Sequence, residues 1–322
     1  MITVLAGGVG AARFLRGLVD AISPLDVTAI VNTGDDSKLH GLNISPDIDT
    51  VIYTLADAID KQRGWGLSNE TWTAMSAVNR YVAVRPANST AAPDWFNVGD
   101  NDLATHCYRT ARLAEGATLS EVTTEIATAW EVDARIMPMS NDKVATRVTL
   151  AQDCEAGTAG STIGFQEYFV KYRHSVAVSN VEFVGVDFAR PLGLGELTDS
   201  EMIVIAPSNP IVSIGPIRSL SGVDAILSKR RSSVVAISPI VAGAALKGPA
   251  DRMMVELGHE ATVIGVAKLY APICGTLVID TADAQLASQI EALGMRCVVT
   301  NTVMSDRHIS KQLAQVTLGA GR

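Results

Sequence analysis

The chain is poor in cysteine. Cys107, Cys154, Cys274 and Cys297 are the only four in 322 residues, and no two form a Cys-x-x-Cys pair. That scatter argues against a disulfide framework or a thiolate zinc site and fits reduced thiols. Basic charge is also short: 26 Lys and Arg against 34 Asp and Glu give a net charge of −8. A nucleic-acid binder ordinarily carries a basic footprint, so that class is set aside. A small anionic ligand is not, because the charge of a site is local. Long apolar runs are missing. The most apolar late stretch, residues 234–246, is too short to span a bilayer and holds Pro239 and Gly243. The opening MITVLAGGVGAARFL has no basic n-region and soon meets Gly7 and Gly8, unlike a signal peptide or membrane anchor. The expectation is a cytoplasmic protein with neither nucleic-acid nor membrane partners.

What is present is core-forming material, 48% hydrophobic residues, enough for one large domain or two moderate ones. Residues 2–6 read as a buried parallel strand. Gly7, Gly8 and Gly10 break it, and residues 11–21 set Phe14, Leu15 and Leu18 at helical spacing. Residues 27–31 form a second apolar strand. This opening predicts the α/β class, a Rossmann-like, doubly wound, mostly parallel sheet. Residues 47–59 read as a helix behind Pro46. Residues 61–131 read as a helical insertion, clearest over 101–115 and 119–130, and residues 134–137 as a strand returning to the sheet. Alternation in GFQEYFVKYR marks 146–199 as a smaller mixed or β insertion. Apolar strands resume at 202–210, 233–243 and 276–283, each ending in a polar loop ahead of a helix. The nucleotide-binding core is therefore expected over residues 1–60, 132–145 and 200–322, with a frayed tail at LGAGR.

The polar motifs fall mostly at strand ends, where open α/β sheets take their ligands. In AGGVGAAR, Gly7, Gly8 and Gly10 let backbone amides approach an anion at a helix N-terminus, with Arg13 in reach of phosphate or carboxylate. The run is neither G-x-G-x-x-G nor a P-loop, so a plain strand-to-helix turn is the alternative. The stretch NTGDDSKLHGLNISPDID gathers Asp35, Asp36, Asp47 and Asp49 within fifteen residues. Like charges so close raise one another's pKa, and something cationic should compensate. One acid would serve a nicotinamide ribose; four are excessive, whereas Mg2+ takes carboxylates together with substrate phosphates. Asp47 or Asp49 would also suit a helix cap.

GDNDLATH sets His106 one helical turn after Asp102, with capping as the plain role of Asp100 and Asp102. PMSND offers Ser140, Asn141 and Asp142, which also suit turns. APSNPIVSIGP is a loop fixed by prolines, with Ser208, Asn209 and Ser213 available to a nucleotide. Lys247 and Arg252 are candidates for phosphate or carboxylate, or ordinary solvated cations. The residues alone support a Rossmann-like enzyme with an anionic nucleotide ligand and Mg2+. The acids and the lack of an obvious nucleophile favour phosphoryl-type transfer.

GGVGAARFL, NTGDD with SPDIDTVIYTL, RGWGLSNETW, GDNDLATH, PMSND, APSNPIVSIGPI and SPIVAGAALKGPADRMM occur in order along nearly the whole chain. In that set the sequence resembles the 2-phospho-L-lactate transferases of coenzyme F420 biosynthesis, nearest the actinobacterial phosphoenolpyruvate transferase branch. GGVGAAR departs from the archaeal-type GGTGTPK. The resemblance implies a Mg2+-using homodimer acting on small molecules. Its donor would be enolpyruvyl- or lactyl-diphospho-5'-guanosine and its acceptor the deazaflavin Fo, giving dehydro-F420-0 or F420-0 and GMP. Carried onto this chain, Asp49 would be metal ligand, base or both, and Asp49→Ala would abolish turnover with the fold intact. Asp35 and Asp36 would assist with metal or Fo. The Gly7–Gly10 turn, with Arg13, and the 208–213 loop would hold guanosine and diphosphate. Ser140, Asn141, Asp142 and His106 would line the cleft, and Trp65 and Trp72 would pack near the deazaflavin or in the core. Two rivals stand beside this reading: a nicotinamide-dependent oxidoreductase, and a non-catalytic nucleotide-binding regulator of a related gluconeogenesis-linked family.

Overall fold

The protein is described from a computed structural model covering residues 1–87 and 89–321. Seven strands form one large sheet: β1 (Ile2–Ala6), β2 (Val27–Val31), β3 (Arg135–Pro138), β4 (Met202–Ile205), β5 (Val234–Ile237), β6 (Thr276–Asp280) and β7 (Arg296–Thr300). Their order is β3-β2-β1-β4-β5-β6-β7, and every pairing is parallel. Strands β1, β2, β4, β5 and β6 are buried along their whole length. A parallel sheet covered on both faces requires this, and it is why those runs are apolar without alternation.

Helices cover the two faces. On one lie α1 (Gly8–Ala21), α2 (Pro46–Leu55) and the last helix, α5 (Arg307–Ala320), sharing a core of Phe14, Leu15, Ile48, Ile52 and Leu313. On the other, Ile217, Leu227, Met254, Val266 and Tyr270 pack beneath the sheet. The fold is Rossmann-like α/β. The 61–131 segment holds a short helix at Thr73–Val78, then α3 (Asp100–Ala114) and α4 (Leu119–Ala129). The capping box of Thr118 and Glu121 starts α4. Between residues 145 and 184 a three-stranded antiparallel sheet pairs Ala145–Leu150 with Thr162–Gly164 and Val178–Val184. No helix among the described residues is long and apolar enough to cross a membrane.

Three local expectations change. Helix α2 ends at Leu55 instead of residue 59, and Asp57 beyond it takes a left-handed φ of 55°. The acidic segment contains a small hairpin, Ser37–Leu39 against Leu42–Ile44. Leu318 to Ala320 of the supposed frayed tail belong to α5, while Arg322 lies outside the described residues. That helix docks tightly on α1: a Cβ on Gly17 would stand 2.2 Å from the Ser310 carbonyl oxygen.

The chain leaves β1 toward β2 on one side of the sheet and β4 toward β5 on the other. The crevice between the carboxyl ends of β1 and β4 is therefore the switch point where such sheets bind ligands. The two loops there touch through backbone: a Cβ on Gly10 would lie 2.1 Å from the Pro207 carbonyl oxygen.

Candidate active site

The ends of β1, β2 and β4 line the crevice. Asn32, the residue after β2, is fully buried. Its amide nitrogen donates to Asp47 Oδ2 at 2.9 Å, and its carbonyl oxygen accepts from the Gly34 amide at 2.8 Å. Asp47 thereby faces the start of α1. A Cβ on Gly7 would be 3.0 Å from Asp47 Oδ2 and 2.7 Å from Ser213 Cβ. The anion already facing this helix N-terminus is thus the chain's own carboxylate, where the dipole favours negative charge. Burial still pushes Asp47 up to about 6, against the downward pull of Asn32 and the Gly8 amide.

Asp35 and Asp36 follow in the turn after β2. Burial, with the charges of Asp47 and Asp36, raises Asp35 well above the ordinary carboxyl range. Burial likewise raises Asp36 well above it, against the Ser45 hydrogen bond and the charge of Arg109. Ser45 Oγ donates to Asp36 Oδ2 at 2.7 Å. Among the described residues, Oδ1 of Asp35 and Oδ1 of Asp36 are buried and accept nothing, and Thr33 Oγ1, Ser37 Oγ, Thr146 Oγ1 and Ser208 Oγ are buried without partners as well. Buried polar atoms are ordinarily satisfied. So many orphans beside one crevice mark a place where an external group completes the bonding.

Asp49 has a different environment. Arg109 of α3 grips it through two guanidinium–carboxylate hydrogen bonds, one of them Nη1 to Oδ2 at 3.0 Å. Both residues are buried. The same Nη1 lies 3.2 Å from His106 Nδ1, which leaves Nε2 to carry the ring proton toward Asp102 Oδ1 at 3.4 Å. Tyr53 donates to that oxygen at 2.7 Å. Burial pushes Asp102 up, but the His106 and Tyr53 hydrogen bonds and the nearby charges hold it below the usual carboxyl value. Burial pushes Arg109 down, and the Asp49 carboxylate more than restores it.

The other expected site residues divide. Ser208 is buried with its hydroxyl unpartnered, and Ser213 sits against Gly7. Asn209 turns its Oδ1 onto the amides of Ile211 and Val212, shaping its own loop. Arg13 is half-buried, its Nη1 3.4 Å from the Met304 carbonyl. Ser140 binds the Arg190 carbonyl at 2.8 Å, Asp142 accepts the Arg190 amide at 2.7 Å, and Asn141 accepts the Ser120 amide at the start of α4. These three hold local structure. Asp100 accepts the Thr73 and Ala74 amides and so caps the short helix. Arg252 pairs with Glu256, whereas Lys247 is exposed near Gly64. Trp65 and Trp72 form an edge-to-face pair 6.2 Å apart, with the Arg63 guanidinium 5.5 and 5.4 Å from their centres.

Sequence reasoning missed Asn32, Tyr53 and Arg109. A signal existed for Arg109: Asp102, His106 and Arg109 follow at i, i+4 and i+7, a charged stripe on one helix face. As to a metal, no three His, Cys, Asp or Glu side chains among the described residues converge as a ready-made ligand set. The two orphan carboxylate oxygens of Asp35 and Asp36 nevertheless suit a hard cation whose remaining ligands come from phosphate and water.

The sequence model of the family described as 2-phospho-L-lactate transferase CofD matches residues 2–317. A phosphoenolpyruvate transferase of Kitasatospora aureofaciens is 39% identical over 98% of this chain and 96% of its own. One from Mycolicibacterium smegmatis is 36% identical over 98% of this chain and 97% of its own. Among solved structures, a UPF0052 family protein from Bacillus halodurans superposes with a TM-score of 0.59 at 16% identity, covering 98% of both chains; it supports the fold alone. With the family's sequence pattern running through the strands, the crevice and the helical insertion alike, this chain belongs to the 2-phospho-L-lactate transferase CofD family.

Proposed function

We propose that the protein transfers a phosphoenolpyruvyl (or 2-phospho-L-lactyl) group from a GDP-linked donor to the deazaflavin Fo, with Mg2+ as cofactor. The observation that carries this reading is the set of orphan oxygens on Thr33, Asp35 and Asp36 beside the β1–β4 crevice, in a chain related to phosphoenolpyruvate transferases. The terminal hydroxyl of Fo attacks the phosphorus bearing the three-carbon acid. The bond from that phosphorus to the bridging oxygen breaks, GMP leaves with the bond's electron pair, and the hydroxyl proton passes to a carboxylate. Asp49 is the acceptor of that proton.

Asp35 and Asp36 would hold the cation. Bound there, Mg2+ supplies positive charge against the diphosphate and the crowded carboxylates. Ser208 and Ser213 hold the guanosine diphosphate, with Arg13 in reach, since Asp47 already faces the amides after Gly7. The same reading makes the protein a cytoplasmic homodimer whose substrates are small molecules.

The test is deazaflavin fluorescence of Fo titrated with protein, with and without Mg2+ and GDP, followed by GMP release from enolpyruvyl-diphospho-5'-guanosine. Saturable Fo binding with stoichiometric GMP supports the transferase. GDP binding with no Fo binding under any condition would sink it in favour of a nucleotide-binding regulator. Tight NAD binding without either would favour the oxidoreductase.

A further inference from the structure

We propose that Arg109 is an internal stand-in for the divalent cation, neutralising Asp49 while the metal is absent and releasing it when the metal enters. The inference rests on the Mg2+ reading and deepens it. Five acids surround this part of the crevice: Asp35, Asp36, Asp47, Asp49 and Asp102. All but the half-buried Asp36 are buried. Arg109 is the cation placed among them. It is 1% exposed, its guanidinium binds both oxygens of Asp49, and its charge also reaches Asp36. A buried guanidinium in that place does what an ion would: it offsets carboxylate repulsion and offers donors to their lone pairs.

The arrangement also gives Arg109 somewhere to go. Its Nη1 already lies 3.2 Å from His106 Nδ1, a second acceptor when the ring proton is on Nε2. His106 is held in turn by Asp102 and, through it, Tyr53. Arg109 belongs to the helical insertion, whereas Asp36 and Asp49 belong to the segment after β2. Exchange of one cation for the other therefore links metal entry to the seating of α3 on the core. A merely structural ion pair predicts no gain in metal affinity on substitution, because it offers the metal nothing to compete with.

The measurement is Mn2+ binding by electron paramagnetic resonance, without substrates, to the wild type, Arg109→Gln and Arg109→Lys, with circular dichroism to confirm folding. Removing the competing charge should tighten Mn2+ binding by roughly tenfold or more in Arg109→Gln. Arg109→Lys, which keeps the charge, should stay within about threefold of wild type on the same electrostatic argument. Folded Arg109→Gln that binds Mn2+ no better than wild type overturns the stand-in role and leaves the Mg2+ reading untouched. No Mn2+ binding by any of the three chains, alone or with GDP added, overturns both. If Arg109→Gln does not fold, the guanidinium resonances of Arg109 in the wild type decide: they should move on saturation with Mg2+, and saturable Mg2+ binding that leaves them unchanged rejects the proposal.

Discussion

Arg109 and Asp49, 60 residues apart in the chain, meet in a double guanidinium–carboxylate hydrogen bond, one arm of which measures 3.0 Å. Truncating Asp49 to alanine strands a buried cation, at a cost of about 3–5 kcal/mol. The expectation that Asp49→Ala spares the fold is therefore replaced by a more conservative substitution. Asp49→Asn keeps the shape but not the charge, so it should lower the melting temperature less than Asp49→Ala and lower turnover by roughly a hundredfold or more, the scale of losing a proton acceptor. GMP release beside a thermal melt checks both; near wild-type turnover would move the chemistry to Asp35 or Asp36.

Mild acidity should stabilise the metal-free protein. Asp47 is raised from 3.8 to about 6 by burial, so the folded state holds its proton more tightly than the unfolded chain. The stabilisation is complete below 3.8 and is lost as pH rises through 6. Asp35 and Asp36 shift in the same direction. The Asp47 contribution is at most about 3 kcal/mol. In the window above the range where Asp100, Asp102 and Glu125, all held low, begin to protonate, melts in EDTA should run higher at mildly acid than at neutral pH, and Asp47→Asn should flatten the trend. A melting temperature that rises toward neutral pH would contradict it.

Ser208 offers a separation of stability from binding. Its hydroxyl is buried and makes no hydrogen bond among the described residues, so Ser208→Ala should melt at or slightly above the wild-type temperature. If the hydroxyl serves the nucleotide, GDP affinity falls by about 1 kcal/mol, a typical hydrogen bond. Calorimetric titration with GDP reads this directly, and unchanged affinity would remove Ser208 from the site.

Gly10→Ala should be severe. The added methyl would stand 2.1 Å from the Pro207 carbonyl oxygen, a backbone atom. Either α1 or the loop after β4 must move, and overpacking of this kind costs about 1–3 kcal/mol. The melting temperature and GDP affinity should fall together; a variant that loses neither would show that the two loops part without consequence.

Much of the sheet was legible because parallel strands buried on both faces leave unbroken apolar runs. Val27–Val31 is the clearest instance, every residue buried. Strand β7 was not legible: RCVVT lies at the sheet edge and is half-exposed, so its composition resembles a loop. The hairpin at residues 37–44 is short and polar for the same reason. In the site, glycines and acids could be read from their crowding. Arg109 could not be weighed from spacing alone, because a helix arginine is ordinarily solvated and its burial is set by a helix sixty residues earlier. Ser140 and Asn141 carried the right chemistry but are taken up by loop and helix-end bonding.

The pairing of β1 with β4, Ile2 opposite Met202, also has a consequence in time. A ribosome must deliver some two hundred residues before the first strand finds its second neighbour. Until then one long edge of β1 stands open, an invitation to foreign strands. The crevice, drawn from the turns after both strands, forms only once that late partner arrives, so nascent chains halted before β4 should possess β1 and β2 yet lack the crevice.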